Sequence, residues 1–262
     1  MKLIKLLALS LGCLLSSAKE RRDTSEEEST LYKDDKCRIL TMRGGGTKGA
    51  YEVGVLLEMT ELVDPKEIEY DVVEGISVGA LNAALIATFP KGEEKEALKQ
   101  AKQLWLDHPV TDFWENWPIL GPVDSLWKPS LLDNTKMKSF VTDTMGPRKL
   151  KRGFVVKAVD MKRGGITVFD ETMPHEDFPK AVVASASVPI FFSPEEVQDG
   201  LYIDGGTFSN LEIEEGILKC RENGFKDEDI IVDIILCFDK IVQINNWSMT
   251  DATYKNAYDL YQ

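Results

Sequence analysis

Two short stretches of the sequence carry a serine and an aspartate in settings that suit ester chemistry. The pentapeptide GISVG at 75–79 contains Ser77 and lies between an apolar strand and an apolar helix. In that context a sharp turn exposes the serine hydroxyl, and the glycines remove side chains that would clash. Asp204 begins the tripeptide DGG after a strand-like run, so its carboxylate would lie where α/β sheets place ligands. Each stretch alone is also compatible with an ordinary turn.

A serine nucleophile needs a base, and the histidines offer a poor one. The chain has two histidines, and neither follows Asp204, whereas α/β-hydrolases place the histidine after the acid. His108 lies on the apolar face of a predicted helix, where we expect it to pack in the core. His175 lies in a loop of turn-like composition. These positions disfavour a histidine triad and favour Asp204 as the base for Ser77.

A third stretch is rich in glycine and follows an apolar run. Gly44, Gly46 and Gly49 spell G-x-G-x-x-G, a pattern typical of dinucleotide sites, in which an acidic residue about 20 positions later binds the ribose. Asp64 has that spacing but precedes a proline and is not at the end of a predicted strand. A phosphate-binding P-loop is excluded, because no G-K-[S/T] follows. The loop therefore binds either a dinucleotide or some other negative charge.

Alternating strands and helices must position these residues. Helices are predicted to begin near 48, 78, 93, 177 and 211, and strands are predicted at 38–42, 70–74, 153–160, 165–169, 200–203 and 230–238. Some strands are apolar on both faces, which indicates a three-layer α/β/α fold with a mostly parallel central sheet.

The segment 109–130 departs from this alternation. It contains four prolines, Phe113 and three tryptophans, so it cannot form one regular helix. Its aromatic side chains either pack on the domain or form the wall of an acyl-chain groove or a lipid-contacting cap.

The N-terminal residues have the features of a targeting segment. Lys2 and Lys5 precede a short apolar stretch that ends in small residues, so we expect residues 1–18 to be a secretory signal peptide. An uncleaved membrane anchor is the alternative. Residues 19–37 form a charged leader, expected to be mobile, and one domain is expected over 38–262. The protein is therefore predicted to be secreted or to enter the secretory pathway.

Charge and cysteine content narrow the possible partners. The formal net charge of −13 disfavours binding to nucleic acid. No C-x-x-C pair or His/Cys cluster is present, so no metal site is expected. Cys37, Cys220 and Cys237 allow one disulfide, and the sequence does not choose the pair. Asn246 lies in a glycosylation acceptor pattern.

Together the motifs resemble the patatin-like phospholipase family of lipid acyl hydrolases. The resemblance runs from about Arg38 to Phe238 and rests on four blocks in family order. These are the glycine loop with Gly44, Gly46 and Gly49; Ser77 between Gly75 and Gly79; the run Ala184–Phe191; and Asp204 with Gly205 and Gly206. The family often continues D-G-G-x-x-x-N-x-P, but here Asn210 is followed by Leu211 and Glu212. That departure is expected to alter only the start of the next helix.

The resemblance implies a Ser77–Asp204 catalytic dyad that needs no histidine and no cofactor. It also implies that the amides of Gly45 and Gly46 stabilise the oxyanion, and that Lys48 steadies their loop. The implied reaction, part of lipid catabolism, is hydrolysis of ester bonds in glycerophospholipids or other acylglycerols. The implied partner is membrane or micellar lipid, with no nucleic acid and no nucleotide. Two alternatives stay open: a catalytically silent lipid-binding relative, and a dinucleotide-binding oxidoreductase.

Overall fold

The computed structural model describes residues 36–237. The predicted signal peptide, nearly all of the predicted leader and Asn246 lie outside the described residues. Within them the helices are α1 (Gly49–Leu62), α2 (Val78–Ala87), α3 (Glu94–Asp107), α4 (Thr135–Met145), α5 (Phe178–Ser185) and α6 (Glu214–Glu222). The strands are β1 (Cys37–Met42), β2 (Val72–Gly75), β3 (Gly153–Asp160), β4 (Ile166–Asp170), β5 (Glu195–Val197), β6 (Gly200–Asp204) and β7 (Ile230–Ile235).

One sheet in the order β5-β6-β3-β2-β1-β7 forms the centre of the described region, and β4 pairs with β3. The strands β3, β2, β1 and β7 run parallel to one another, whereas β4, β5 and β6 are joined by antiparallel pairings. Helices cover both faces, so the predicted α/β/α fold with a mostly parallel central sheet is confirmed.

The two helical layers are unequal. Leu40 and Met42 of β1 point into the larger core, which includes buried side chains of α1 to α5. Ile39 points to the other face, into a smaller core with Cys220 of α6. Alternate side chains of β1 are therefore buried on opposite faces, which explains why this strand is apolar along its length.

A disulfide joins Cys37 of β1 to Cys220 of α6 across the smaller core. Cys237 is a free, buried thiol. The structure thus selects one of the pairings that the sequence left open. Cys37 also belongs to β1, so this strand begins one residue earlier than expected.

The predicted helices and strands are present with shifted ends, and two further elements were not predicted. The helix expected from 211 begins at Glu214, and the strand expected to reach 238 ends at Ile235. Sequence patterns did not predict α4 or the three-residue β5. The segment 109–130 is irregular as predicted, with short 3-10 turns. Within residues 36–237, no helix has the length and apolar character required to cross a bilayer.

The sheet register places the turn that follows Gly75 and the end of β6 at nearly the same level of the sheet. Met42 of β1 pairs with Gly75 of β2, and Gly75 pairs with Val156 of β3. Asp204 pairs with Ala158, two residues beyond Val156. β6 runs antiparallel to β3 and pairs only with the carboxyl-terminal end of β3. Asp204, the last residue of β6, therefore lies at the same edge of the sheet as the turn after β2.

Candidate active site

Ser77 occupies the sharp turn between β2 and α2. Its backbone has φ 57° and ψ −122°, a conformation that costs a non-glycine residue on the order of 1–3 kcal/mol. The flanking glycines are required sterically. A Cβ on Gly75 would lie 2.3 Å from the Gly79 carbonyl oxygen, and one on Gly79 would lie 2.3 Å from that of Met42. The strand-turn-helix context of a nucleophilic serine is therefore present.

Asp204 at the end of β6 is the carboxylate that lies beside this serine. The Ser77 side chain lies close enough to the Asp204 carboxylate to lower its pKa, and the Gly206 N–H donates to Asp204 Oδ1 at 2.7 Å. Burial raises the pKa of Asp204 to about 6, although the interactions with Ser77 and with the Gly206 N–H lower it. Such a carboxylate is ionised at neutral pH and can still accept a proton near that pH.

Two buried serines, Ser185 and Ser187, accept hydrogen bonds from the backbones of Ser77 and Asp204. The Ser185 hydroxyl accepts a hydrogen bond from the Ser77 N–H at 3.2 Å, and the Ser187 carbonyl accepts one from the Asp204 N–H at 2.9 Å. Both serines are inaccessible to solvent. The run Ala184–Phe191, which the sequence identified only as a family block, therefore holds the backbones of Ser77 and Asp204 in register.

The glycine loop lies directly against Ser77. A Cβ on Gly44 would approach the Ser77 Cβ to 3.1 Å and would overlap Asn210. Asn210 binds the loop twice: its carbonyl accepts the Gly44 N–H at 3.3 Å, and its Nδ2 donates to the Gly44 carbonyl at 3.1 Å. Within residues 36–237, neither the Gly45 N–H nor the Gly46 N–H has a hydrogen-bond partner. These two amides are thus available to a negatively charged ligand.

The remaining motif residues complete the turn. The Lys48 N–H donates to the Gly45 carbonyl at 3.2 Å, so the backbone of Lys48 closes the loop. Gly49 begins α1, and a Cβ there would lie 2.2 Å from the Val78 side chain at the start of α2. The first turns of α1 and α2 are therefore neighbours, and both helices direct the positive ends of their dipoles toward this part of the site. Gly205 approaches the backbone of β3.

A buried polar cluster under the glycine loop was not predicted. The Glu52 carboxyl of α1 accepts hydrogen bonds from Asn82 Nδ2 at 2.8 Å and from the Cys237 thiol at 2.9 Å. Asn82 Nδ2 also donates to the Gly49 carbonyl at 3.0 Å, and a Cβ on Gly45 would lie 2.9 Å from the Cys237 sulfur. Burial raises the pKa of Glu52 to about 7. The cluster supports the loop from beneath.

Neither histidine joins the site. His175 Nε2 lies 3.0 Å from the Gly146 carbonyl oxygen on the surface. His108 is half-buried, and its ring packs 4.8 Å from that of Phe140. Asp64, the candidate ribose ligand, caps a short turn by accepting the Lys66 N–H at 3.0 Å. The groups expected of a histidine triad or a dinucleotide site are therefore engaged elsewhere.

A largely apolar cavity of about 420 Å³ adjoins Ser77. Ser77 and Gly46 contribute to its wall, and Phe113 and Trp114 of the irregular segment line it as well. Most of the remaining wall comes from apolar side chains of α2, α3 and α4, among them Leu81, Leu85, Leu104, Met137, Phe140 and Val141. This size and lining suit a hydrocarbon chain.

Glu212 lies immediately before α6 and caps the start of that helix. The Glu212 carboxylate accepts the N–H groups of Glu214 and Glu215 at 2.8 and 3.1 Å, and it pairs with Lys157 at 2.5 Å. An acidic side chain thus caps the helix where relatives often place proline. Among residues 36–237, no group of three His, Cys, Asp or Glu side chains is placed to hold a metal ion.

Comparison with known proteins identifies the family. The model of the patatin-like phospholipase family matches residues 40–217, more than half of the chain. The chain belongs to the patatin-like phospholipase family, as the motifs predicted. Membership in this family supports lipid ester hydrolysis as the general activity.

Individual relatives are distant. The chain is 22% identical over 215 residues to a cGAMP-activated phospholipase of Escherichia coli, covering 74% of this chain and 58% of the relative. It is 24% identical over 210 residues to the mouse calcium-independent phospholipase A2-gamma, covering 70% of this chain and 26% of the relative. VipD from Legionella pneumophila has a similar fold, with a TM-score of 0.50 and 16% identity over 76% of this chain and 50% of VipD. The chain therefore spans from about a quarter to little more than half of these proteins.

Proposed function

We propose that this chain is a serine lipid acyl hydrolase that works through a Ser77–Asp204 dyad. The observation that carries the proposal is the strained turn at Ser77, whose side chain lies beside the buried Asp204 carboxylate and borders the apolar cavity. In the family context, this arrangement supports ester cleavage in glycerophospholipids or other acylglycerols, within lipid catabolism.

In the proposed acylation step, the Ser77 Oγ attacks the ester carbonyl carbon and Asp204 accepts the hydroxyl proton. The Gly45 and Gly46 amides donate to the oxyanion that forms, and one such donor lowers the barrier by about 3 kcal/mol. The positive end of α2 adds to this stabilisation. Asp204 then returns the proton to the departing alcohol, which leaves an acyl-serine whose hydrocarbon chain lies in the cavity.

In the deacylation step, Asp204 accepts a proton from water as the water oxygen attacks the acyl-serine. The Ser77 oxygen departs and recovers that proton from Asp204, so the enzyme returns to its starting state. This sequence needs no metal and no organic cofactor.

A fluorophosphonate probe tests the nucleophile directly. We expect the probe to label the wild type, and a matched Ser139→Ala variant that lacks an exposed hydroxyl on α4, but not Ser77→Ala. Hydrolysis of phosphatidylcholine and of triacylglycerol should be lost in Ser77→Ala as well. Labelling or turnover that survives in Ser77→Ala would refute the proposal, and an unlabelled wild type that still binds lipid would favour a catalytically silent relative.

Lipid is the partner that the apolar cavity supports, and we expect turnover without any nucleotide. The Escherichia coli relative is named for its activation by cGAMP. Turnover assays with and without cGAMP decide whether that property extends to this chain, and stimulation by cGAMP would contradict the expectation.

We also propose that the protein is secreted or enters a secretory pathway, on the basis of residues 1–18. The disulfide between Cys37 and Cys220 supports this, because such bonds persist mainly in oxidising compartments. Expression of the full chain and intact-mass measurement of the product tests it. A product that retains residues 1–18 would favour the uncleaved anchor.

A further inference from the structure

An exposed apolar surface lies next to the cavity opening and has no role in the proposed chemistry. It consists of Ile119, Leu120, Val123, Leu126 and Trp127 on one loop and Ile190 and Phe191 on another. The exposed fractions reach 80% at Leu126, 78% at Ile119 and 59% at Trp127. We call this set the apolar patch. Large apolar side chains gathered in this way mark an interaction surface.

The loop that carries most of the patch is firmly built. The buried Asp124 carboxylate accepts the N–H groups of Ile119 and Leu120 at 3.3 and 2.9 Å, and the Asp124 carbonyl accepts that of Trp127 at 3.0 Å. The Trp117 indole N–H donates to the Ser130 carbonyl at 2.9 Å and closes the loop. These hydrogen bonds fix the backbone of the loop from inside, although Asp124 Oδ1 is buried without a partner among the described residues. The apolar side chains of the loop meanwhile remain in solvent.

The second loop has a strained backbone beside an exposed side chain. Ile190 has φ 73° and is 67% exposed. A positive φ is unfavourable for a β-branched residue, and leaving an isoleucine in water forgoes the benefit of burying it. A surface that covers Ile190 would explain this combination.

The patch is continuous with the cavity. The N–H groups of Leu131 and Leu132 donate to the carbonyls of Ile190 and Phe191 at 2.8 and 3.0 Å, which ties the two loops together. Leu132 and Phe191 also line the cavity that contains Ser77. An occupant of the patch therefore reaches the opening through which an acyl chain would enter.

Charge identifies the kind of occupant. Between residues 117 and 130 the charged side chains are the buried Asp124 and Lys128, and the whole chain has a net charge of −13. An anionic membrane would be repelled. Tryptophan on an apolar loop, as at Trp127, is typical of residues that lie at a membrane–water interface.

We propose that the apolar patch docks the protein on the surface of zwitterionic lipid, such as a phosphatidylcholine bilayer or micelle. Docking would bring the cavity opening against the lipid, so that an acyl chain could pass to Ser77 without crossing water. This inference rests on the proposed function for its purpose, but the binding itself does not depend on catalysis.

The test measures binding of Ser77→Ala protein to phosphatidylcholine vesicles by co-sedimentation, so that the lipid stays intact. Adding Leu126→Gln and Trp127→Gln together should weaken binding at least tenfold. The matched control is Leu62→Gln, which changes a leucine that is 72% exposed at the far end of α1, about 20 Å along the helix from Gly49. It should bind as before. If the double variant misfolds by circular dichroism, Ile119→Gln with Leu120→Gln replaces it.

A second measurement separates docking from catalysis. With Ser77 intact, the double variant should hydrolyse a soluble short-chain ester within twofold of wild type but lose at least tenfold on phosphatidylcholine vesicles. Equal losses on both substrates would contradict docking. A wild type that binds vesicles but hydrolyses neither substrate would refute the proposed function and leave docking intact.

Three further outcomes would overturn the proposal. One is a wild type that does not bind phosphatidylcholine, and another is binding that requires anionic lipid. The third is a dimer, detected by light scattering, that the Leu126→Gln and Trp127→Gln changes convert to a monomer, since the occupant would then be a second copy of the chain.

Discussion

Replacing the proposed base with its neutral isostere should remove activity and at the same time stabilise the fold. Asp204→Asn keeps a carbonyl oxygen for the Gly206 N–H but cannot accept the Ser77 proton as a base. It also removes a buried negative charge. Because burial raises the pKa of Asp204 from 3.8 to about 6, ionisation of this group costs the folded state free energy.

The direction and size of this change in the free energy of unfolding follow from the pKa values of Asp204 in the unfolded and folded chain. Between pH 3.8 and about 6 the folded protein holds a proton that the unfolded chain has lost, so this group lowers stability as pH rises through that range. Using roughly 1.4 kcal/mol per pH unit, the cost is below about 1 kcal/mol at pH 4, about 2 kcal/mol at pH 5 and about 3 kcal/mol at pH 8. Asp204→Asn should be more stable than wild type by these amounts.

Urea unfolding of both proteins at pH 4, 5 and 8, with the disulfide kept oxidised, provides the measurement. Glu52 and Glu74, whose pKa values burial raises to about 7, titrate alike in both proteins and cancel in the difference. The control Asp143→Asn changes an exposed carboxylate on α4 and should show no such gap. The assignment of Asp204 as a buried, destabilised carboxylate would be refuted if the difference in unfolding free energy between the two proteins were absent or reversed at pH 8. It would also be refuted if that difference did not change with pH.

The same pKa predicts the pH dependence of turnover. With a pKa of about 6, about one tenth of Asp204 is ionised at pH 5, so kcat/KM should fall about tenfold from its plateau above pH 7. A carboxylate with an ordinary pKa would remain mostly ionised at pH 5. Initial rates on a soluble ester distinguish the two, and an unchanged rate at pH 5 would contradict proton transfer to this carboxylate.

Three other results are expected. His108→Gln and His175→Gln should each keep turnover within about tenfold of wild type, because neither histidine touches the proposed dyad; inactivation of a folded histidine variant, with Asp204→Asn still active, would instead favour a histidine base. Changing Cys37 and Cys220 together to alanine should lower the free energy of unfolding by about 2–5 kcal/mol, because the disulfide closes a loop of 183 residues; denaturant unfolding measures this, and an unchanged stability would contradict it. Adding NAD should leave the melting temperature unchanged, whereas a saturable rise would revive the dinucleotide interpretation.

Sequence patterns predicted those features that depend on local constraints. The tight turn at Ser77 leaves no room for a Cβ two residues before or two residues after it, so Gly75 and Gly79 are visible in the sequence as a fixed spacing. The same holds for the strand β1, whose apolar residues on both faces indicate a buried central strand. Features of this kind need no knowledge of distant residues.

Features that depend on tertiary contact were not predictable in this way. The run Ala184–Phe191 is visible as a family block, but nothing in it shows that Ser185 hydrogen-bonds Ser77 from 108 residues away. The pairing of Cys37 with Cys220 depends on α6 returning to the start of β1. The strand β5 is three residues long with two glutamates, so its place in the sheet comes from pairing with β6 rather than from its composition.

Glu52 lies between these two cases, because its burial follows from the helical pattern but its partners do not. It is one helical turn before Leu56, which is buried in the larger core, and residues four apart share a helix face. An acid on the buried face of an apolar helix requires a polar partner, because an unpaired buried carboxylate is costly. The sequence could therefore have predicted a hydrogen-bonded cluster behind the glycine loop. It could not have named Asn82 and Cys237 as the partners, since α2 and the segment after β7 meet Glu52 only in the folded chain.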